Sequence, residues 1–207
     1  MSSFIPKDTQ YEAKVKDSFE CQQVMKTVGA RVLGIMPGQV ELEFGYHTKL
    51  TQQHGFIHAG IISTVLDSAC GYAAFSLMPK DTSVLTIEFK INLLSPAQGE
   101  KFIAIGKVKK AGRTITVCVG DLFAVSNNQR KLVATMTGTL MTIPDRGDLN
   151  SQIDTNKMCI TKGSSYFQYF AIPLEAWQYG FIWPETSKKY GATVQYLRRE
   201  LSRSIFH

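Results

Sequence analysis

Residues 52–75 read QQHGFIHAGIISTVLDSACGYAAF, and the fold turns on this stretch. A turn rich in Gly and His leads to His58, and from there to Met78 about 20 residues are mostly apolar, long enough to raise the question of a membrane span. Asp67 stands at the centre of that run. A carboxylate at mid-bilayer costs about 2.5–3.5 kcal/mol on insertion scales, and Ala, Gly and Ser outnumber Leu and Ile, so the segment reads as a helix buried in protein. The amides that open such a helix, around Ala59 and Gly60, lack intrahelical acceptors. Together with the helix dipole they can polarise a carbonyl oxygen or hold an anion. Asp67, nine residues into the helix, needs a partner, a wet cleft or a chemical role, because an isolated charge among apolar groups is expensive.

The residues alone leave several readings of this segment open. Asp67 can be a structural acid satisfied by Ser63 or Ser68. His58 can be a cap or a packing residue. His54 and His58 have the spacing of zinc-binding histidines but no Glu between them, so no metal is expected. Ser63 and Ser68 lack a Gly-x-Ser-x-Gly elbow and have no claim as nucleophiles.

Working outward, Tyr11, Val15, Phe19 and Met25 fall on one stripe of a predicted helix within residues 8–27, ended by Gly29. Residues 30–35 and the alternating Val40, Leu42 and Phe44 form a hairpin about Pro37-Gly38. Downstream, Leu85, Ile87, Phe89, Ile91 and Leu93 alternate with Thr86, Glu88, Lys90 and Asn92, and three further strands are expected at 101–110, 113–125 and 130–143. Turns at Ala111-Gly112 and Asn127-Asn128 separate them, which predicts a meander from residue 82 onward. The fold class is α+β: one antiparallel sheet wrapped around one long central helix.

That domain is expected to occupy residues 1–145. Residues 146–207 form a C-terminal extension holding both tryptophans, with an amphipathic helix at 187–203 whose basic face would suit an anionic membrane surface. The chain's formal charge is +6, with no zinc-finger or RNP-like motif, so a small phosphorylated ligand suits it better than nucleic acid. Four scattered cysteines, Cys21, Cys70, Cys118 and Cys159, read as reduced core thiols. The first residues lack the pattern of a secretory signal, and a cytoplasmic location is expected.

The run 52–75, with TIEFKINLLSPA at 86–97 and KKAGRTITV at 109–117, resembles the hotdog-fold thioesterases of the PaaI type over about residues 25–143. The resemblance implies cofactor-free hydrolysis of acyl-CoA, with Asp67 as nucleophile or general base. It implies that the N–H of Ala59, following His58, polarises the thioester carbonyl, and that Thr86 assists the acid or its water. Two departures stand out: the family commonly has Asn where this chain has Gln52, and Gly-Gly where it has Ala59-Gly60. Gln keeps the amide and Ala keeps the N–H, so the chemistry survives. For the substrate, Gly60 lies at the helix start, and Lys109, Lys110 and Arg113 are the candidate cations for the CoA phosphates. The resemblance also implies a homodimer, or a dimer-of-dimers tetramer, with chains paired edge to edge through the long strand and each site drawing on both. The rival expectation is a catalytically inactive acyl-CoA-binding sensor or scaffold.

Overall fold

The structure, a computed structural model, describes residues 4–144. The predicted boundary at 145 and the helix expected at 187–203 lie outside the described residues.

The chain opens with α1 (Tyr11–Glu20) and α2 (Gln23–Val28). The single helix expected here is two, broken at Cys21-Gln22, where Gln22 turns to an extended conformation and its carbonyl accepts from the amides of Met25 and Lys26. The apolar stripe survives the break because Val15, Phe19 and Met25 are all buried. Gly29 ends α2 with a left-handed φ of 72°, a conformation that favours glycine. Strands β1 (Arg31–Met36) and β2 (Gln39–Gly45) form the expected hairpin, with Gly38 at φ 77° in its turn. Then come α3 (Ala59–Phe75), β3 (Thr82–Leu93), β4 (Lys101–Ala111), β5 (Ile115–Ser126) and β6 (Gln129–Pro144).

The six strands are antiparallel throughout, in the order β1-β2-β4-β5-β6-β3. The predicted meander therefore holds only for β4, β5 and β6. Strand β3 does not pair with its successor; it closes against β6 and forms one edge of the sheet. The turn joining β5 and β6 is the Asn127-Asn128 pair, at φ 50° and 61°, the two-residue type whose positive φ values match the twist of a hairpin.

Inward residues of five strands pack against α3. Leu42, Phe44, Phe102, Leu122, Met136 and Leu140 are all but fully buried, and the Phe44 and Phe102 rings stack at 5.0 Å. Each large apolar side chain so enclosed contributes about 1.5–3 kcal/mol. The helix comes unusually close to the sheet at one place. Gly106 on β4 and Gly120 on β5 are register partners, and a Cβ at Gly106 would sit 2.3 Å from the carbonyl of Ala69, while one at Gly120 would sit 2.8 Å from the Cys70 sulfur. The backbone of α3 thus rests on β4 at Gly106, and Gly120 beside it makes room for the Cys70 and Leu66 side chains. Cys70 and Cys118 are buried free thiols, as expected; Cys21 is disulfide-bonded, so the expectation of a reduced thiol fails there.

Gly106→Ala should therefore be costly, since the atoms it meets are backbone and cannot swing aside; a loss of about 1–3 kcal/mol is expected from overpacking. Gly71→Ala, where an added Cβ meets nothing within 4 Å among the described residues, should be neutral or gain up to about 1 kcal/mol of helix propensity. Chemical denaturation of the two variants beside the parent checks the ordering.

Candidate active site

The turn before α3 is built as a small bracket. Thr51 and Ile57 form an isolated antiparallel bridge, the Gln52 amide donates to the Phe56 carbonyl at 2.9 Å, and Gly55 takes φ 83°. Tyr46, not singled out from sequence, and Ala97, the last residue of the 86–97 run, hold the bracket in place. The Tyr46 hydroxyl donates to the Gly55 carbonyl at 3.0 Å, and the buried Ala97 accepts from the Ile57 amide at 3.1 Å. The Ser95-Pro96-Ala97 segment thus anchors the approach to the helix.

His58 is the N-cap of α3: its Nδ1 accepts from the Gly60 amide at 2.9 Å. Of the readings open for it, the capping one is what the geometry supports. The cap occupies Gly60, whereas the Ala59 N–H has no hydrogen-bond acceptor among the described residues. Ala59 therefore presents a free donor at the positive end of a 17-residue helix.

Asp67 lies on the side of α3 that faces β3. The Thr86 hydroxyl donates to its Oδ1 at 2.8 Å. Neither serine proposed as a structural partner serves it, for Ser63 donates to the Ala59 carbonyl and Ser68 to the Gln22 side chain. What brings Thr86 inward is a β-bulge. Thr86 pairs with the buried Leu140, but Glu88 pairs with Thr139, so Ile87 is an extra residue and the face changes there. The simple alternation predicted Leu85, Ile87 and Phe89 on one face. Instead Thr86 shares the inward face with Phe89, Ile91 and Leu93, while Leu85 and Glu88 face outward.

Burial pushes the Asp67 carboxyl above the ordinary carboxylate range, and the Thr86 hydrogen bond pulls it part of the way back. A half-buried, partnered acid midway along a helix fits the profile of a reacting group.

The remaining expected residues are not gathered here. Asp67 and Ala59 are eight residues apart on one rigid helix, about 12 Å along its axis and roughly 80° around it, so one chain cannot aim both at a single carbonyl. The Gln52 side chain is turned back on its own loop, accepting from the His54 amide, and makes no hydrogen bond to Asp67. Lys109, Lys110 and Arg113 are exposed at the β4–β5 hairpin, as expected. Among the described residues no three His, Cys, Asp or Glu side chains converge as a metal site requires, and no helix is long and apolar enough to cross a membrane.

A model of the thioesterase superfamily matches residues 54–130, which include all the site residues expected from sequence except Gln52. A thioesterase family protein from Silicibacter pomeroyi of known structure is 55% identical, covering 65% of this chain and 98% of its own, with a TM-score of 0.64. The chain belongs to the hotdog-fold thioesterase family. Within the family, the PaaI protein of Escherichia coli, from the phenylacetic acid degradation operon, shares the fold at 18% identity, 67% and 97% coverage and a TM-score of 0.60. A Halobacterium salinarum protein provisionally named an esterase is 34% identical over 99 residues, 45% of this chain and 65% of the relative's length.

The raised pKa of Asp67 has a consequence for stability. A carboxyl that holds its proton more tightly folded than unfolded contributes fully below its unfolded pKa, and that contribution is lost as pH rises through the folded value. Asp67→Asn cannot ionise yet keeps an oxygen to accept from Thr86. Its melting temperature relative to the parent should therefore rise between pH 4 and pH 7; parallel curves for the two proteins would mean that burial does not penalise the Asp67 carboxylate.

Proposed function

We propose that this chain hydrolyses acyl-CoA thioesters to the free acid and CoA, in the cytoplasm and without a cofactor. The observation that carries the reading is the Asp67 carboxylate, half-buried against β3 and held by Thr86. In its ionised form Asp67 attacks the thioester carbonyl, or takes a proton from the water that does. The carbonyl oxygen, gaining negative charge, is received by the free N–H of Ala59 at a helix N-terminus. The carbon–sulfur bond then breaks and the CoA sulfur leaves as thiolate, to be protonated; where Asp67 is the nucleophile, water hydrolyses the acyl–Asp67 anhydride left behind, which frees the acid and restores the carboxylate.

Because Ala59 and Asp67 of one chain lie about 12 Å apart along α3, each site takes the amide from one copy and the acid from another. Edge strand β3, with Ile87, Phe89 and Leu93 exposed, is the surface through which a homodimer would form, whether alone or within a tetramer. The CoA phosphates are assigned to Lys109, Lys110 and Arg113. Ala111, Thr116, Leu140 and Thr86 lie on one cross-strand row, which places this basic hairpin about three strand spacings, roughly 14 Å, from Thr86. The flexible pantetheine arm spans such a gap. Residues 146–207 are proposed to be a separate extension of the thioesterase domain.

Asp67→Asn should assemble normally and lose turnover by roughly 10²- to 10⁴-fold, the usual weight of a positioned base or nucleophile, in an assay that traps the released CoA thiol. Near-parental turnover in a natively assembled variant would return Asp67 to a structural role, and a parent that binds acyl-CoA without releasing thiol would establish the sensor instead.

Thr86→Val removes the one interaction that lowers the Asp67 pKa. The acidic limb of kcat/KM should then move to higher pH, with a smaller loss at the plateau than Asp67→Asn causes. An unmoved limb would show that a different group sets the acidic profile.

A further inference from the structure

An amide at the start of a helix is only as well aimed as the chain that leads into it. The loop that leads into Ala59 is fixed at its base by backbone bonds: Thr51 and Ile57 form the bridge, the Ile57 amide donates to the Ala97 carbonyl, and the His58 amide donates to the Leu50 carbonyl at 2.9 Å. Its tip is held differently. His54 and Gly55 are exposed, and Gly55 and Phe56 border an open cavity of about 850 Å³ that Gln98, Ser126 and Lys131 also line. A segment bordering open space is not held on that side by close packing, so its position rests on hydrogen bonds.

Tyr46 supplies one from the sheet. It is the first residue beyond β2, and its amide donates to the Glu100 carbonyl at 3.0 Å, one step past the pairing of Gly45 with Lys101. Its backbone therefore moves with the sheet. From there its hydroxyl donates to the Gly55 carbonyl at 3.0 Å, nine residues along the chain. Gly55 has φ 83°, a conformation suited to glycine, and its own amide donates to the Gln52 carbonyl at 3.0 Å. With both of its backbone polar groups bonded, the direction in which the chain leaves Gly55 is set, four residues ahead of Ala59.

We infer that Tyr46 is a positioning residue for the thioester reaction: through the Gly55 carbonyl it fixes the loop that aims the Ala59 N–H at the substrate carbonyl oxygen. This rests on the hydrolytic reading above, in which that amide receives the developing negative charge. Tyr46 acts through the backbone and needs to touch neither substrate nor Asp67. Its weight falls on the chemical step, because a misplacement of about 1 Å can cost on the order of 10²-fold in rate. Acyl groups of every length present the same carbonyl, so the effect does not depend on the acyl chain.

The test is Tyr46→Phe in the full-length chain, which keeps the ring and removes only the hydroxyl. With acetyl-, hexanoyl- and decanoyl-CoA, kcat should fall about ten-fold, less than the 10²- to 10³-fold that loss of an oxyanion donor itself causes, and KM should stay within about two-fold of the parent. The loss should be equal for the three thioesters, and the acidic limb of kcat/KM should stay where it is in the parent. A variant that melts earlier yet turns over at the parental rate overturns the inference, since Tyr46 then serves stability alone. A loss that grows with acyl length overturns it by making Tyr46 a wall of the acyl site, and a moved acidic limb does so by placing its action on Asp67. Should the parent cleave none of the three, the hydrolytic reading falls, and the amide resonances of ¹⁵N-labelled parent and variant still test the positioning. Shifted Ala59 and Gly60 signals in Tyr46→Phe support it; unmoved ones overturn it.

Discussion

The contact on which the rest of this molecule depends is between two backbones. At Gly106 there is no side chain between the sheet and α3, and the Ala69–Cys70 backbone settles directly on the strand, while its register partner Gly120 makes room for the side chains of Cys70 and Leu66. A side chain on either strand would lift the helix away, and the inward residues of β2, β4, β5 and β6 would lose the surface they close on. The same contact accounts for the small residues Ala69 and Cys70 at the point of closest approach. A segment that by composition alone invites comparison with a membrane span is instead the central element of a protein core, and it brings an acid into that core without leaving it unpartnered.

How the acid is kept follows from a second local device. The bulge at Ile87 exchanges the faces of β3 between Glu88 and Thr86, and so directs a hydroxyl rather than an aliphatic side chain at Asp67. Burial and the hydrogen bond act in opposite directions on the carboxyl, the first favouring the proton and the second the charge. Of the two, burial is the larger, so the carboxyl is held above its ordinary value. The helix that supplies the acid also supplies the free amide, but as a rigid rod it holds them apart. Under the proposed function a second copy of the chain is therefore a requirement of helix geometry.

Much of this was legible in the amino-acid sequence because it is local. Alternation over Val40, Leu42 and Phe44, the Asn127-Asn128 turn, the helix from 59 with its acid, and the cap at His58 all depend on neighbours within a few residues, where chain geometry dictates which side chains share a face. The one-sided stripe of Val15, Phe19 and Met25 was equally readable, although the break at Cys21-Gln22 was not, since neither residue is a strong helix breaker.

What the tertiary structure alone decided concerns partners distant in the chain. Alternation says which face a residue takes but not which strand lies beside it, so the placing of β3 against β6 could not be read from it. Nor could the bulge, because the even spacing of Leu85, Ile87 and Phe89 is what an unbroken strand would show. The residues taken alone offer only the serines within one turn as partners of Asp67; Thr86, 19 residues away, was pointed to by the family resemblance and not by anything local. The sequence by itself determined that an acid sits within a buried helix opening on a free amide; only the packed chain decided what that acid touches, because a strand's register is settled by the pairing of two segments and not by either one.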